Sequence, residues 1–150
     1  MSFIGNFAAA QSAKAIGQYN SQLYYQQAQY ARKKAELNEK VYNQVTRPLI
    51  VKQNKTNYSN FFVSALSSGA EFREGTTPYL AGLDFRINQA TDLVISDFNA
   101  EMDQFDQANQ ISLLQARGTG EAFKGAMTAR TETIRGFGSL LSAANTGGFI

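Results

Sequence analysis

The chain has no cysteine, no histidine and no tryptophan, and only two prolines in 150 residues. Without cysteine there is no disulfide frame and no thiolate nucleophile. Without histidine as well, a zinc site would have to be built from carboxylates alone. The commonest general base is also missing. Charge is scarce, with Asp, Glu, Lys and Arg at 17% against about 25% in soluble proteins. No run of 18 apolar residues occurs, so no ordinary transmembrane helix is expected. The apolar residues 1–10 lack the positive n-region of a secretory signal. These absences argue against an enzyme, and no cofactor or metal is expected.

Gln, Asn, Ser and Thr fill the place of the missing charge. They give surfaces that hydrogen-bond without net charge, suited to contact with other subunits. The net charge of +2 hides an asymmetry. Residues 1–60 carry eight Lys/Arg and two acids, whereas residues 61–115 carry two Arg and eight acids. A basic half followed by an acidic half points to the halves lying against each other or against their counterparts in neighbouring copies. Nonspecific DNA contact by the basic half is the rival reading.

From Phe7 to Arg47 there is no proline and one glycine, Gly17, in a stretch dominated by helix formers. Ile16, Leu23, Tyr30 and Leu37 recur every seven residues, and Val41 and Val45 follow at steps of four. This narrow stripe resembles a coiled-coil seam. Ala28, Ala31 and Ala35 lie beside it, small enough to admit a partner helix. A helix of about 40 residues would be roughly 60 Å long. Pro48 is expected to end or kink it at Arg47. Residues 49–68 resume a helical pattern through Tyr58, Phe61, Phe62, Ala65 and Leu66, either as a bent continuation or as a second helix. Residues 69–77 read as a loop, with a short extended piece around Phe72. Thr77 as N-cap and Pro78 at the first position then start another helix.

That helix is expected over 78–116, with a stripe through Leu80, Leu83, Ile87, Ala90, Val94, Phe98, Met102 and Phe105 and a four-residue stutter near Phe98. Gly118 and Gly120 mark its weak point, since each costs about 1 kcal/mol relative to alanine. Residues 117–150 form a small-residue segment rich in Gly, Ala, Ser and Thr.

Few residues suggest chemistry. Asp97 and Glu101 share a helix face, and an acidic face meeting a basic partner explains them better than a cation site. Arg32-Lys33-Lys34, near Tyr24, Tyr25 and Tyr30, is a short basic and aromatic cluster of the kind that binds single strands. A solvated helix face with tyrosines packed between subunits accounts for it better. Asn54-Lys-Thr56 and Asn57-Tyr-Ser59 match the glycosylation pattern, a match that chance often produces. The termini are the sharper signal. Phe3, Ile4 and Phe7 at one end, and Phe137, Leu140 and Leu141 at the other, sit among small residues that permit close helix packing in an assembly or a membrane.

The order of these features resembles the small internal virion proteins, or ejection core proteins, of short-tailed podovirus-type bacteriophages. The resemblance rests on the small-residue apolar start, the Gln/Ala-rich first helix, and the turn Ser64-Ala-Leu-Ser-Ser-Gly69-Ala-Glu-Phe-Arg-Glu-Gly75-Thr-Thr-Pro78. It continues in Ile87-Asn-Gln-Ala90-Thr-Asp-Leu-Val-Ile95, in Asn99 and Gln107-Ala108-Asn109, and in the close Gly136-Phe-Gly-Ser-Leu-Leu141. It implies a virion protein held inside the capsid near the portal, with other core proteins and the portal as partners. It further implies a later place in the host envelope, at the outer membrane, in a conduit for the genome. No catalytic residue is implied.

The expected fold is all-α, one elongated domain over 1–150 built as a hairpin with arms 7–68 and 78–116. The stripe residues Ile16, Leu23, Tyr30 and Leu37, and Leu83, Ile87, Val94, Phe98 and Phe105, are expected to pack in helix seams. One hairpin cannot cover both narrow seams, so copies are expected to form a homo-oligomeric ring or tube.

Overall fold

The computed structural model describes residues 3–146, with side chains from residue 4 to 142. Among these residues the protein is all-α. Its elements are α1 (Phe3–Val41), a π-helical segment (Tyr42–Thr46), α2 (Arg47–Ser67) and α3 (Thr77–Thr146). The arms pair antiparallel, as the hairpin pattern predicts. They cluster into two compact units, one of Met1–Arg32 with Asn109–Ile150 and one of Lys33–Ala108.

Pro48 does not stop the first arm. It lacks the N–H that would bond the carbonyl four residues back, and its ring crowds that turn. The chain answers with wider i→i+5 turns just before the proline, the Arg47 N–H bonding to the Tyr42 carbonyl. Thr46 and Arg47 stay in the right-handed helical region, so α2 follows without a break. The four-residue steps at Leu37, Val41 and Val45 are the sequence counterpart, because a wider turn holds more residues.

α2 ends in a Schellman turn. Ala70 N–H bonds to Ala65 O at 3.1 Å and Gly69 N–H to Leu66 O at 3.0 Å. Gly69 takes the left-handed conformation this motif needs, with φ +81°. Residues 70–73 form neither helix nor paired strand. Phe72 turns inward, 4.7 Å from the Phe62 ring centroid and 6.2 Å from that of Phe61. Phe85 stacks on Phe61 from α3 at 5.5 Å, which closes the tip of this unit. The cap of α3 is one residue earlier than expected, since the Thr76 carbonyl accepts from Leu80 N–H.

α3 does not end near Ala116, as its glycines suggest, but runs on to Thr146. In the first unit those glycines are contact points. A Cβ built on Gly118 would lie 3.2 Å from Ser21 O and 3.3 Å from Tyr24 Cβ. One on Gly17 would lie 2.7 Å from Gly125 Cα, and one on Gly125 2.8 Å from Gly17 Cα. The two backbones touch there. Close packing of small residues offsets the helix propensity that the glycines lose.

The seam of this unit is therefore made of small residues. On α1 it holds Ala10, Gly17, Ser21 and Ala28, and on α3 Gly118, Gly125 and Gly136, all buried. Asn20 donates to Glu121 at 3.2 Å, and the Tyr25 and Thr119 hydroxyls meet at 3.0 Å.

In the second unit the seam is more polar. Asn54 Nδ2 donates to the Gln89 carbonyl and Gln89 Nε2 to the Asn54 carbonyl, at 3.3 and 2.9 Å. Asn54, the first glycosylation-like asparagine, is thus engaged across the hairpin. Arg86 lies over the Tyr58 ring at 5.1 Å. No described side chain in either unit is sealed below 2% exposure.

Candidate functional site

The residues expected to form seams do not close the hairpin. Ile16, Leu23, Tyr30, Leu37, Leu83, Ile87, Val94, Phe98 and Phe105 are all exposed, from 39% at Leu23 to 73% at Tyr30. In the first unit the physical reason is the close backbone approach, since Gly17 and Gly125 leave no room between the arms for branched or aromatic side chains. Ile16, Leu23 and Tyr30 sit one position away from that seam, rotated by about 100°. In the second unit Leu83 and Val94 are likewise one position off, and Ile87 and Phe98 lie two positions off, on the outer face. Tyr24 and Tyr25, drawn from the sequence as part of an aromatic and basic cluster, are instead committed to α3 through Gly118 and Thr119.

The large residues fall on defined flanks. In an antiparallel pair, residues one place after the seam on both arms share a side. Arg47 and Asp97 follow Thr46 and Ser96, and they pair. Tyr25 and Thr119 do the same in the other unit. Residues one place before the seam share the opposite side, as Asn20 and Glu121 show.

In the first unit Ile16, Leu23 and Tyr30 precede the seam residues Gly17, Tyr24 and Ala31. Phe123, Ile134 and Phe137 follow Ala122, Thr133 and Gly136. The two arms therefore carry their apolar stripes on opposite flanks. The second unit repeats this for part of its apolar surface. Val41, Val45 and Leu49 precede Tyr42, Thr46 and Ile50, while Leu83 and Val94 follow Gly82 and Leu93.

Of the terminal candidates, the side chain of Phe3 lies outside the described residues. Ile4 and Leu141 are exposed by 76% and 73%, and Leu140 is exposed as well. Phe7 and Phe137 meet edge to face at 6.1 Å, which ties the two ends of the first unit together.

The second unit carries the one ion pair that bridges arms among the described residues. Arg47 Nε and Nη2 donate to Asp97 Oδ1 and Oδ2 at 2.9 and 3.3 Å. The Tyr42 hydroxyl donates to Asp97 Oδ1 at 2.8 Å and meets the Ser96 hydroxyl at 3.1 Å. The Arg47 hydrogen bond, then that of Tyr42, holds the Asp97 carboxyl below its ordinary range. Burial, with the Asp97 carboxylate alongside, pushes the Tyr42 hydroxyl up. Sequence reasoning placed Asp97 on an acidic face awaiting a basic partner, and Arg47 is that partner. Tyr42 was missed, although its position just before Pro48 put it in the stressed turn. Glu101 stays exposed and outside this cluster.

A groove of about 240 Å³ opens beside the π segment, lined by polar and apolar side chains that include Glu39, Val41, Tyr42, Ala100, Asp103 and Gln104. No nucleophile and base are paired in it. Among the described residues no cluster of His, Cys, Asp or Glu is placed to hold a metal ion. No helix is long and apolar enough to cross a membrane. Compared with known families, curated proteins and solved structures, the chain matches none.

The remaining feature is the amount of exposed surface. Among the described residues many large apolar side chains are more than half exposed, Ile16, Tyr30, Val94 and Phe98 among them, the pattern of an interaction surface.

Proposed function

We propose that this protein is a structural component of a bacteriophage virion, part of the internal core or ejection apparatus. In this reading it helps form a conduit for the genome through the host envelope. It acts by assembly rather than catalysis. Its partners are copies of itself, other core proteins and the portal, with the host outer membrane as the later setting.

The observation that carries this reading is the distribution of residues in the first unit. Small residues line the seam, large apolar ones face out, and residues 3–31 hold a single charge, Lys14. Helices so built pack closely and offer apolar surface to a neighbour or to lipid. The sequence resemblance to ejection core proteins points the same way.

Purified protein should release dye from liposomes, and Ile16→Lys with Leu23→Lys should abolish release. Both side chains are exposed, so the hairpin itself tolerates the change. No release by the wild-type protein, at neutral or acid pH and with or without anionic lipid, would sink the conduit reading. That result would favour a helical adaptor or plug of a phage tail or secretion apparatus, with no membrane step. The lack of any described helix able to span a membrane supports that second reading.

A further inference from the structure

The second unit carries two unsatisfied surfaces of opposite character. Its first arm, residues 33–68, holds six Lys/Arg and two Glu. Its second arm, residues 77–108, holds six acids and one Arg. Only Arg47 and Asp97 pair across the arms, so five cations of the first arm and five acids of the second have no ion-pair partner within the described unit. Each arm also carries exposed apolar residues on one flank, Val41, Val45 and Leu49 on the cationic arm, and Leu83 and Val94 on the anionic arm.

These two sets lie on opposite flanks of the hairpin, so a two-fold dimer cannot bury Val41, Val45 and Leu49 together with Leu83 and Val94 on one face. A two-fold pairing of cationic arm with cationic arm would also set like charges together and leave the other stripe bare. A head-to-tail arrangement answers both problems. The Val41–Val45–Leu49 flank of one copy meets the Leu83–Val94 flank of the next, and each cationic arm lies beside an anionic one. Such heterologous contacts propagate until a ring closes. Opposite charge along the rim sets the pairing and speeds encounter, while the stripes supply the buried apolar area.

We infer that copies of this chain associate head to tail through this unit, cationic-arm flank to anionic-arm flank. The inference deepens the proposed function by naming the partner of the exposed surface. Its test reads assembly alone, so either idea can fail without the other.

The test uses the full chain and two variants, Val45→Asp and Val94→Lys, each at an exposed site on one flank only and each repelled by the charge of the arm it would face. Circular dichroism first establishes that both keep wild-type helicity. Sedimentation then follows the three proteins at roughly 100 μM, well above the Kd of a specific interface. Wild-type protein should form multimers, and each variant alone should sediment as a monomer. An equimolar mixture of the variants should form dimers and nothing larger, because one intact flank remains on each. A monomeric wild type overturns the inference, and so does a single variant that still assembles or a mixture that stays monomeric.

Discussion

Gly120→Ala and Gly125→Ala make an informative pair, five residues apart in α3. A methyl at position 120 meets nothing within 4 Å. It should add helix propensity without penalty and stabilise by about 0.5–1 kcal/mol. At position 125 the same methyl would lie 2.8 Å from Gly17 Cα and 2.9 Å from Ala13 O. Both obstacles are backbone, which no rotamer change can relieve. Restoring an ordinary contact of about 3.4 Å requires the arms to part by roughly 0.6 Å, which forfeits a quarter or more of each neighbouring contact. Overpacking of this kind costs about 1–3 kcal/mol. Set against the propensity gain, the net loss should be about 1–2 kcal/mol. Urea unfolding followed by circular dichroism would measure both variants. Combining Gly125→Ala with Gly17→Ala should cost less than the sum, because the first methyl has already spread the seam. If Gly125→Ala stabilised the protein as much as Gly120→Ala, the contact seam would be refuted.

The Asp97 carboxyl has a depressed pKa in the fold, so its contribution is complete above the unfolded value of about 3.9. It should be lost as pH falls through the lower folded value. The urea midpoint of wild type should therefore converge on that of Asp97→Asn between neutral and strongly acid pH, and a constant gap would contradict a stabilising role for the Arg47–Asp97 pair. Phe72→Ala removes the ring between Phe61, Phe62 and Gly82, and should cost roughly 2 kcal/mol, less than a fully buried phenylalanine. Faster proteolysis of the loop should accompany it. Gly69→Ala forces a methyl into a left-handed turn and should cost about 1 kcal/mol in the same unfolding assay.

The helices themselves were legible. Strong helix formers and the lack of proline between Phe7 and Arg47 defined the first arm, and the Gly69 and Thr76-Thr77-Pro78 signals placed the turn to within a residue. The seam was not legible from apolar periodicity, which selects the largest residues. Ile16, Leu23 and Tyr30 therefore marked a stripe one place away from Gly17, Tyr24 and Ala31. Where two backbones touch, size decides which residue is inside, and the sequence signal is glycine at seven-residue spacing within a helix, as at Gly118 and Gly125. The same reading took Gly118, with Gly120, as the weak point where the helix ends. The π segment had its own signal in Pro48 following steps of four, but a proline alone does not distinguish a break from a widened turn.

A seam of small side chains also shapes how stability depends on temperature. A compact chain of this length should unfold with a heat-capacity increase of about 2 kcal/mol/K, set by the apolar surface that becomes hydrated. Here Ile16, Tyr30, Val94, Phe98 and their neighbours are already hydrated in the single folded chain. Its unfolding should show a distinctly smaller heat-capacity change and a flatter stability curve. The missing hydration signal should appear instead as a negative heat-capacity change when copies associate. Calorimetry would thus find much of this protein's hydrophobic driving force in the meeting of chains rather than in the folding of one.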